Sequence, residues 1–316
     1  MVRLSEKNRG DAMKNKLIYI VIILLISVFL ILLLSKNRVN LAYMVDSKYL
    51  PYAMVSLNSA ITNKKGNTQY NVYFIAKDFT KDDIEKLKKM EQNGVKIVIY
   101  STEEKNLDYP RLGRFSSFKI SLQKIFLAEY LLELKKVLYL DADTLVQQDL
   151  SELYNTDISK EYVGAVKDGL MYQYPEHIEE IGLKERNFYF NSGIMLLNLE
   201  KIRKENVIRK AIIYFNTHNE IFGDQDVLNV VFGKKIKPIS YRYNCNSTFF
   251  EEKDAKFLSA FWGEHISEND KEVYDNATIL HFAGHKPWTE WYNNQYLKNL
   301  WHKYAQEAKI KYQITY

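Results

Sequence analysis

From Leu41 onward, short apolar runs alternate with stretches patterned as helices, and each of three apolar runs stops at or just before an aspartate. This alternation restricts the fold more than any other feature of the chain. Leu41-Ala-Tyr-Met-Val45 reads as a buried strand running into Asp46. Pro51 sits where a helix can begin, and Tyr52–Ile61 continues it. Asn71–Ile75 is a second strand. Lys81–Met90 is an amphipathic helix with Asp82 and Asp83 in its first turn and Lys88 and Lys89 in its last, as the helix dipole favours. Val95–Tyr100 is a third strand, and Ser121–Leu134 is apolar at helical spacing. Val137–Leu140 runs into Asp141, and Tyr162–Val166 ends just before Asp168. Gly193–Asn198 and Thr278–His281 are further strands. Such alternation predicts an α/β fold whose mostly parallel sheet is covered on both faces. Ligands of these sheets bind beyond the carboxyl ends of the strands, where Asp46, Asp141 and Asp168 stand.

Composition narrows the reading. With 47% hydrophobic and 26% charged residues, the 316-residue chain is neither disordered nor wholly membrane-embedded. Its length allows one large domain or two small ones. Only 12 Gly and 5 Pro leave little for a flexible linker. A net charge of +5 is too small to signal nucleic-acid binding, and no such partner is expected. The single cysteine, Cys245, excludes an internal disulfide and any multi-cysteine metal site, and reads as a small buried apolar residue.

The first forty residues pose a separate problem. After a tail over residues 1–16, Leu17–Leu34 carries polar atoms only at Tyr19 and Ser27, and basic residues flank it. About 18 such residues suffice to cross a bilayer. The run is long for a signal peptide, and Ser35-Lys36-Asn37-Arg38 offers no small-x-small cleavage site. The expectation is an uncleaved single-pass anchor. Met13-Lys14-Asn15-Lys16 has the form of a short start in its own right. The domain after residue 40 would face the cytosol in a bacterium and the Golgi lumen in a eukaryote, where Asn246 and Asn276 lie in glycosylation sequons.

The densest chemistry is Leu138-Tyr-Leu-Asp-Ala-Asp-Thr-Leu-Val146. Carboxylates at Asp141 and Asp143, one residue apart at a strand end, project on the same side. Two like charges so close resist joint ionisation unless a cation lies between them. Hard oxygen ligands select Mg²⁺ or Mn²⁺. A solvated acidic loop is the alternative, and a DADT segment after an apolar strand also fits the haloacid-dehalogenase phosphatases. That fold expects the motif at the start of its domain, whereas about a hundred residues of αβ pattern precede it here.

Four more segments complete the set: Gly164-Ala-Val-Lys-Asp168, Phe190-Asn-Ser-Gly193, Gly223-Asp-Gln-Asp-Val-Leu-Asn229 and His281-Phe-Ala-Gly-His-Lys-Pro-Trp288. With the DAD segment and the opening LAYMVDSKYLPYAMVSLNSA, they resemble glycosyltransferase family 8, from about Leu41 to Trp288. The resemblance implies a GT-A nucleotide-sugar-binding fold with a mixed, mostly parallel sheet over residues 40–287. It implies a retaining hexosyltransferase that moves galactose or glucose from a UDP-sugar to a glycan or glycolipid acceptor. By the same resemblance, Asp141, Asp143 and His281 hold the metal. The imidazole tilts the choice to Mn²⁺, with Mg²⁺ also admissible.

Asp46 and Tyr49 resemble the residues that bind and stack on uracil. Ala142, Gly284 and Lys286 lie on the donor side, with Gly284 letting backbone approach a phosphate that Lys286 contacts. Asp168, Asn191, Asp224 and Gln225 resemble the polar set around the donor sugar, with Gln225 beneath the anomeric carbon. The family carries an Arg in the helix before the DAD segment. Lys124 stands there, keeping the charge without the bidentate fork. The His285-Lys286 loop is also shorter than some family versions. A catalytically silent sugar-nucleotide-binding scaffold on the same fold is the remaining alternative.

Residues 288–316 repeat Trp291, Tyr292, Tyr296, Leu297, Leu300, Trp301 and Tyr304 at helical spacing among lysines. They predict a terminal helix, packed on the domain or lying on an anionic membrane surface.

Overall fold

Alternate residues of the central strands point to opposite faces, and both faces are buried. Leu41, Tyr43, Val45, Leu138 and Leu140 enter one apolar cluster, while Ala42, Met44, Val137 and Tyr139 enter a second on the other side. A strand apolar on both sides needs layers above and below it. The computed structural model supplies them, describing residues 18–24, 37–102, 119–169, 174–183, 189–218, 222–246 and 253–316.

Arg38–Tyr316 forms one compact unit. Its strands are β1 (Asn37–Asp46), β2 (Thr68–Lys77), β3 (Val95–Ser101), β4 (Lys136–Leu140), β5 (Thr144–Val146), β6 (Val163–Ala165), β7 (Ile194–Asn198), β8 (Ile236–Pro238), β9 (Cys245–Asn246) and β10 (Ile279–His281). Seven form a sheet in the order β3-β2-β1-β4-β7-β6-β8, and β5, β10 and β9 form a second, small sheet. β1 pairs with β4, β2 with β3 and β6 with β8 in parallel, while β7 is antiparallel to both β4 and β6. The mixed α/β sheet expected from the sequence is therefore present.

Helix α1 (Leu50–Asn63) begins with Pro51 in its first turn, and α2 (Lys81–Lys88) opens on a capping box between Thr80 and Asp83. The apolar stretch Ser121–Leu134 departs from the expected single helix. It folds as three short turns, Lys119–Leu122, Gln123–Phe126 and Leu127–Tyr130, the middle one a 3₁₀ segment. Helix α3 (Asp224–Phe232) starts after Gly223, and α4 (Gln295–Tyr312) closes the chain. Cys245 is buried, as its sequence context suggested.

The anchor expected over Leu17–Leu34 is overturned, and the membrane localisation built on it goes with it. Among the described residues no helix is long and apolar enough to cross a membrane. Only residues 18–24 of that stretch are described, and they are helical. Residues 1–17 and 25–34 lie outside the described residues.

The apolar face of α4 packs on the domain. Leu297, Trp301, Tyr304, Ala305, Ala308 and Tyr312 are buried. Asn58 and Asn63 of α1 donate to the Tyr304 backbone carbonyl at 3.2 Å and to its hydroxyl at 2.8 Å.

Candidate active site

Chain direction explains how remote motifs meet at one edge of the sheet. β4 ends at Leu140, so Asp141 lies beyond its carboxyl end. β7 runs the opposite way, which brings its beginning to the same edge. Leu140 pairs with Ile194, and Asp141 N–H donates to Gly193 O at 2.8 Å. Asn191-Ser192-Gly193 therefore sits beside Asp141. The small sheet adds the third partner. β10 runs antiparallel to β5 with His281 opposite Thr144, and Phe282 N–H donates to Asp143 O at 2.9 Å.

The result is a cluster. Asp141, Asp143 and His281 each offer one ligand atom, all within 4.8 Å of one another. His281 Nε2 is 3.4 Å from Asp143 Oδ1. Two carboxylates and an imidazole are hard and borderline donors that suit a divalent cation, so the residues present fit such an ion. Gly193 lies against the imidazole: a Cβ there would fall 2.3 Å from His281 Cε1 and 2.9 Å from Nε2. Only a glycine admits the ring in this position.

Two lysines balance the carboxylates. Lys124, buried on the 3₁₀ turn, lies 3.3 Å from Asp141 Oδ1 and 3.0 Å from Asp224 Oδ2. Burial works against its ammonium, but Asp141 and Asp224 outweigh that and raise its pKa. Lys286 donates to Asp143 Oδ2, and to Phe282 O at 2.7 Å. The carboxylates are pulled apart. Burial, reinforced by Asp143, raises the pKa of Asp141 despite Lys124. Burial also acts against the Asp143 anion, yet Lys286 and His281 hold its pKa well below the usual carboxylate range. Tyr139 O–H donates to Asp141 Oδ1 at 2.5 Å.

The expected sugar-binding set is joined to this cluster. Asp168 Oδ2 accepts from Asn191 Nδ2 at 3.0 Å and from Gln225 Nε2 at 2.9 Å. Gln225 Oε1 accepts from Ser192 N–H at 3.0 Å, and Asp224 Oδ2 accepts from Ser192 Oγ at 2.8 Å. Helix α3 delivers Asp224 and Gln225 from its first turn. Its third residue, Asp226, is buried and accepts from Tyr189 O–H at 2.6 Å and from Phe222 N–H at 2.9 Å, fixing the start of the helix.

The other candidates are placed more loosely. Asp46 ends β1, and its Oδ1 accepts from Tyr49 N–H at 2.9 Å. The Tyr49 side chain is 44% exposed, with its ring 5.6 Å from that of Tyr52. Ala142 is buried between the two aspartates. Gly284 has φ +92°, a backbone conformation that disfavours any side chain, which accounts for a glycine two residues before Lys286.

Sequence reasoning missed Ser192, Tyr139 and Asn244. Ser192 lay inside a quoted motif without an assigned role. Asn244 carried no local signal. It reaches the site because β9 pairs with β10, placing it beside His281, 37 positions further along the chain.

A mixed sheet with acidic and imidazole ligands gathered at its strand ends has the layout of the GT-A class of nucleotide-sugar-binding folds. The chain belongs to glycosyl transferase family 8, whose profile it matches over residues 40–292. That membership sets aside the dehalogenase alternative. A putative glycosyltransferase of Haemophilus influenzae is 30% identical over 223 residues, 67% of this chain and 64% of that protein. The chain thus spans just under two thirds of that relative's length. A lipopolysaccharide 1,2-glucosyltransferase of Escherichia coli is 27% identical over 84% of this chain and 79% of its own length. Among solved structures, the galactosyltransferase LgtC in complex with donor and acceptor sugar analogues superposes with a TM-score of 0.67. It is 20% identical, over 85% of this chain and 95% of LgtC. At that identity the likeness establishes the fold.

Proposed function

We propose that the chain is a retaining hexosyltransferase that moves galactose or glucose from a UDP-sugar to a hydroxyl of a glycan or glycolipid. One observation carries the reading: the Asp141–Asp143–His281 cluster and the Asp168–Asn191–Gln225 set share one edge of the sheet. A leaving group and a sugar can thus be held side by side. The family membership and the glucosyl- and galactosyltransferase relatives support the choice of hexose. We assign the transferase domain to residues 40–287, with the segment 288–316 packed on it.

In this reading Asp141, Asp143 and His281 hold Mn²⁺, or Mg²⁺. When bound, the ion offsets the negative charge that develops on the departing diphosphate. Lys286 exchanges its contact with Asp143 for the diphosphate, and the backbone at Gly284 lets the phosphate approach. Asp46 accepts from the uracil ring and Tyr49 stacks on it. Lys124 and Ala142 line the donor side. Asp168, Asn191 and Asp224 bind sugar hydroxyls, and Gln225 lies beneath the anomeric carbon. An amide is a poor nucleophile, so Gln225 forms no covalent intermediate here. The acceptor hydroxyl attacks C1 on the face that the diphosphate leaves, and its proton passes to a phosphate oxygen. The C1–O bond to UDP breaks as the new C1–O bond forms, and the anomeric configuration is kept.

The test is a screen of UDP-sugars with Mn²⁺ and the full chain. UDP release with galactose or glucose donors, and an α-linked product by NMR coupling, are expected. A β-linked product overturns the retaining assignment. Absence of UDP release with every donor favours the silent scaffold.

A further inference from the structure

Asn191 lies on a chain of side-chain hydrogen bonds whose direction is fixed. The Gly193 backbone N–H can only donate, and it meets Asn191 Oδ1 at 2.9 Å. A carboxylate can only accept, and Asp168 Oδ2 meets Asn191 Nδ2 at 3.0 Å. These two anchors require the same amide orientation. The Ser192 N–H fixes Gln225 in the same manner. The next link is Asn244, only 2% exposed. Its Nδ2 donates to Asn191 Oδ1 at 2.9 Å, which leaves its Oδ1 facing His281 Nδ1 at 2.9 Å. An amide oxygen accepts and never donates, so the proton lies on Nδ1. With a cation held between Asp143 and His281, the imidazole protonated on Nδ1 would offer its lone pair on Nε2, the nitrogen that faces Asp143.

We propose that Asn244 is a positioning residue that accepts from His281 Nδ1–H and so orients Nε2 towards the metal. Asp168 and Asn191 set the direction of the relay. This deepens the proposed function and rests on its metal site. Partners behind a ligating histidine fix its tautomer and ring angle, and their loss commonly weakens metal binding about 10- to 100-fold. The relay also gives Asn191 a second duty: it faces the donor sugar with one edge and orients the metal side through Asn244 with the other.

The experiment uses the full chain with ¹⁵N-labelled histidine, free of metal, at a pH where imidazole is neutral. Two-bond ¹H–¹⁵N spectra, assigned by comparison with His281→Gln, should show His281 protonated on Nδ1. An Nδ1 without a proton overturns the proposal, and this readout needs no folded Asn244 variant. Mn²⁺ titration followed by electron paramagnetic resonance provides the second arm. Asn244→Ala should weaken binding about 10- to 100-fold. Asn244→Asp keeps an acceptor for Nδ1–H and should recover affinity to within a few-fold of wild type. Unchanged affinity in Asn244→Ala overturns the proposal. Wild-type protein that binds no Mn²⁺ sinks the metal-dependent function instead, while the metal-free spectrum still decides the tautomer.

Discussion

The strand-end edge is built in two different ways. Around β4, β7 and β10 the polar side chains are largely buried and interlocked: Asp141 with Lys124 and Tyr139, Asp143 with Lys286, Asn191 with Asp168 and Asn244. At the end of β1, Asp46 bonds locally to the backbone of Tyr49, whose ring stands in solvent. The first region holds its groups in place before any ligand arrives, so little reorganisation remains for the reacting atoms. The second is held by local contacts alone, and in the proposed function it is where the base would stack. In the proposed function, the interlocked region is the one where charge would develop.

The sharpest way to break this contrast is at the cluster. Asp143→Asn removes an anion that the site balances with Lys286 and His281. A neutral amide cannot hold a divalent ion against a diphosphate. UDP-sugar turnover with Mn²⁺ should fall by about 10³-fold or more, equivalent to roughly 4 kcal/mol of lost transition-state stabilisation. Near-normal turnover in this variant would remove the metal site from the account.

Next comes the buried cation. Lys124→Met leaves Asp141 and Asp224 without their shared counter-charge at a position where Lys124 itself is buried. Breaking a buried pair on one side typically costs about 3–5 kcal/mol. Urea unfolding without divalent ions should show a loss of that order, partly restored when Mn²⁺ is added. A loss below about 1 kcal/mol, the range of exposed ion pairs, would mean that the site is wetter and softer than its burial indicates.

A smaller effect follows at Gly193. Its backbone does not require glycine through a positive φ, so Gly193→Ala acts through space alone. The added Cβ meets the His281 ring at 2.3 Å and must push it aside. Mn²⁺ affinity should drop about 10- to 100-fold, as for other losses of ligand orientation, with the melting temperature nearly unchanged. Unaltered affinity would show that the imidazole has room to move, and the contrast between rigid and soft regions would weaken.

What the sequence revealed follows the same division. Strands such as Leu41–Val45 and Val137–Leu140 were legible because a strand buried on both faces is a continuous apolar run. Asp141 and Asp143 were legible because two carboxylates one residue apart at a strand end call for a cation, whereas His281 was found through its place in the family pattern. Lys124 was found through its place in a family pattern, although its bridge between Asp141 and Asp224 depends on a 3₁₀ turn that periodicity read as plain helix. Asn244 was invisible because its role comes from strand pairing across distant segments, and a lone asparagine before a cysteine states nothing about that. The apolar run at Leu17–Leu34 misled because hydropathy reports only that a segment avoids water.

The mildest test probes the soft end. Tyr49→Ala removes one ring face from a residue that is 44% exposed and whose ring lies beside that of Tyr52. Stacking of a base on an aromatic side chain is worth about 1–3 kcal/mol, and exposure places this case near the lower bound. UDP affinity should weaken about 5- to 10-fold, with a matching rise in donor KM and kcat within a factor of two. Loss of uniform binding energy raises KM alone, whereas loss of an interaction made only in the transition state lowers kcat. Isothermal titration with UDP and a parallel kinetic measurement separate the two. If kcat falls as far as the affinity, Tyr49 is coupled to the reacting centre, and the edge is one preorganised unit from β1 to β10 rather than a rigid half beside a soft one.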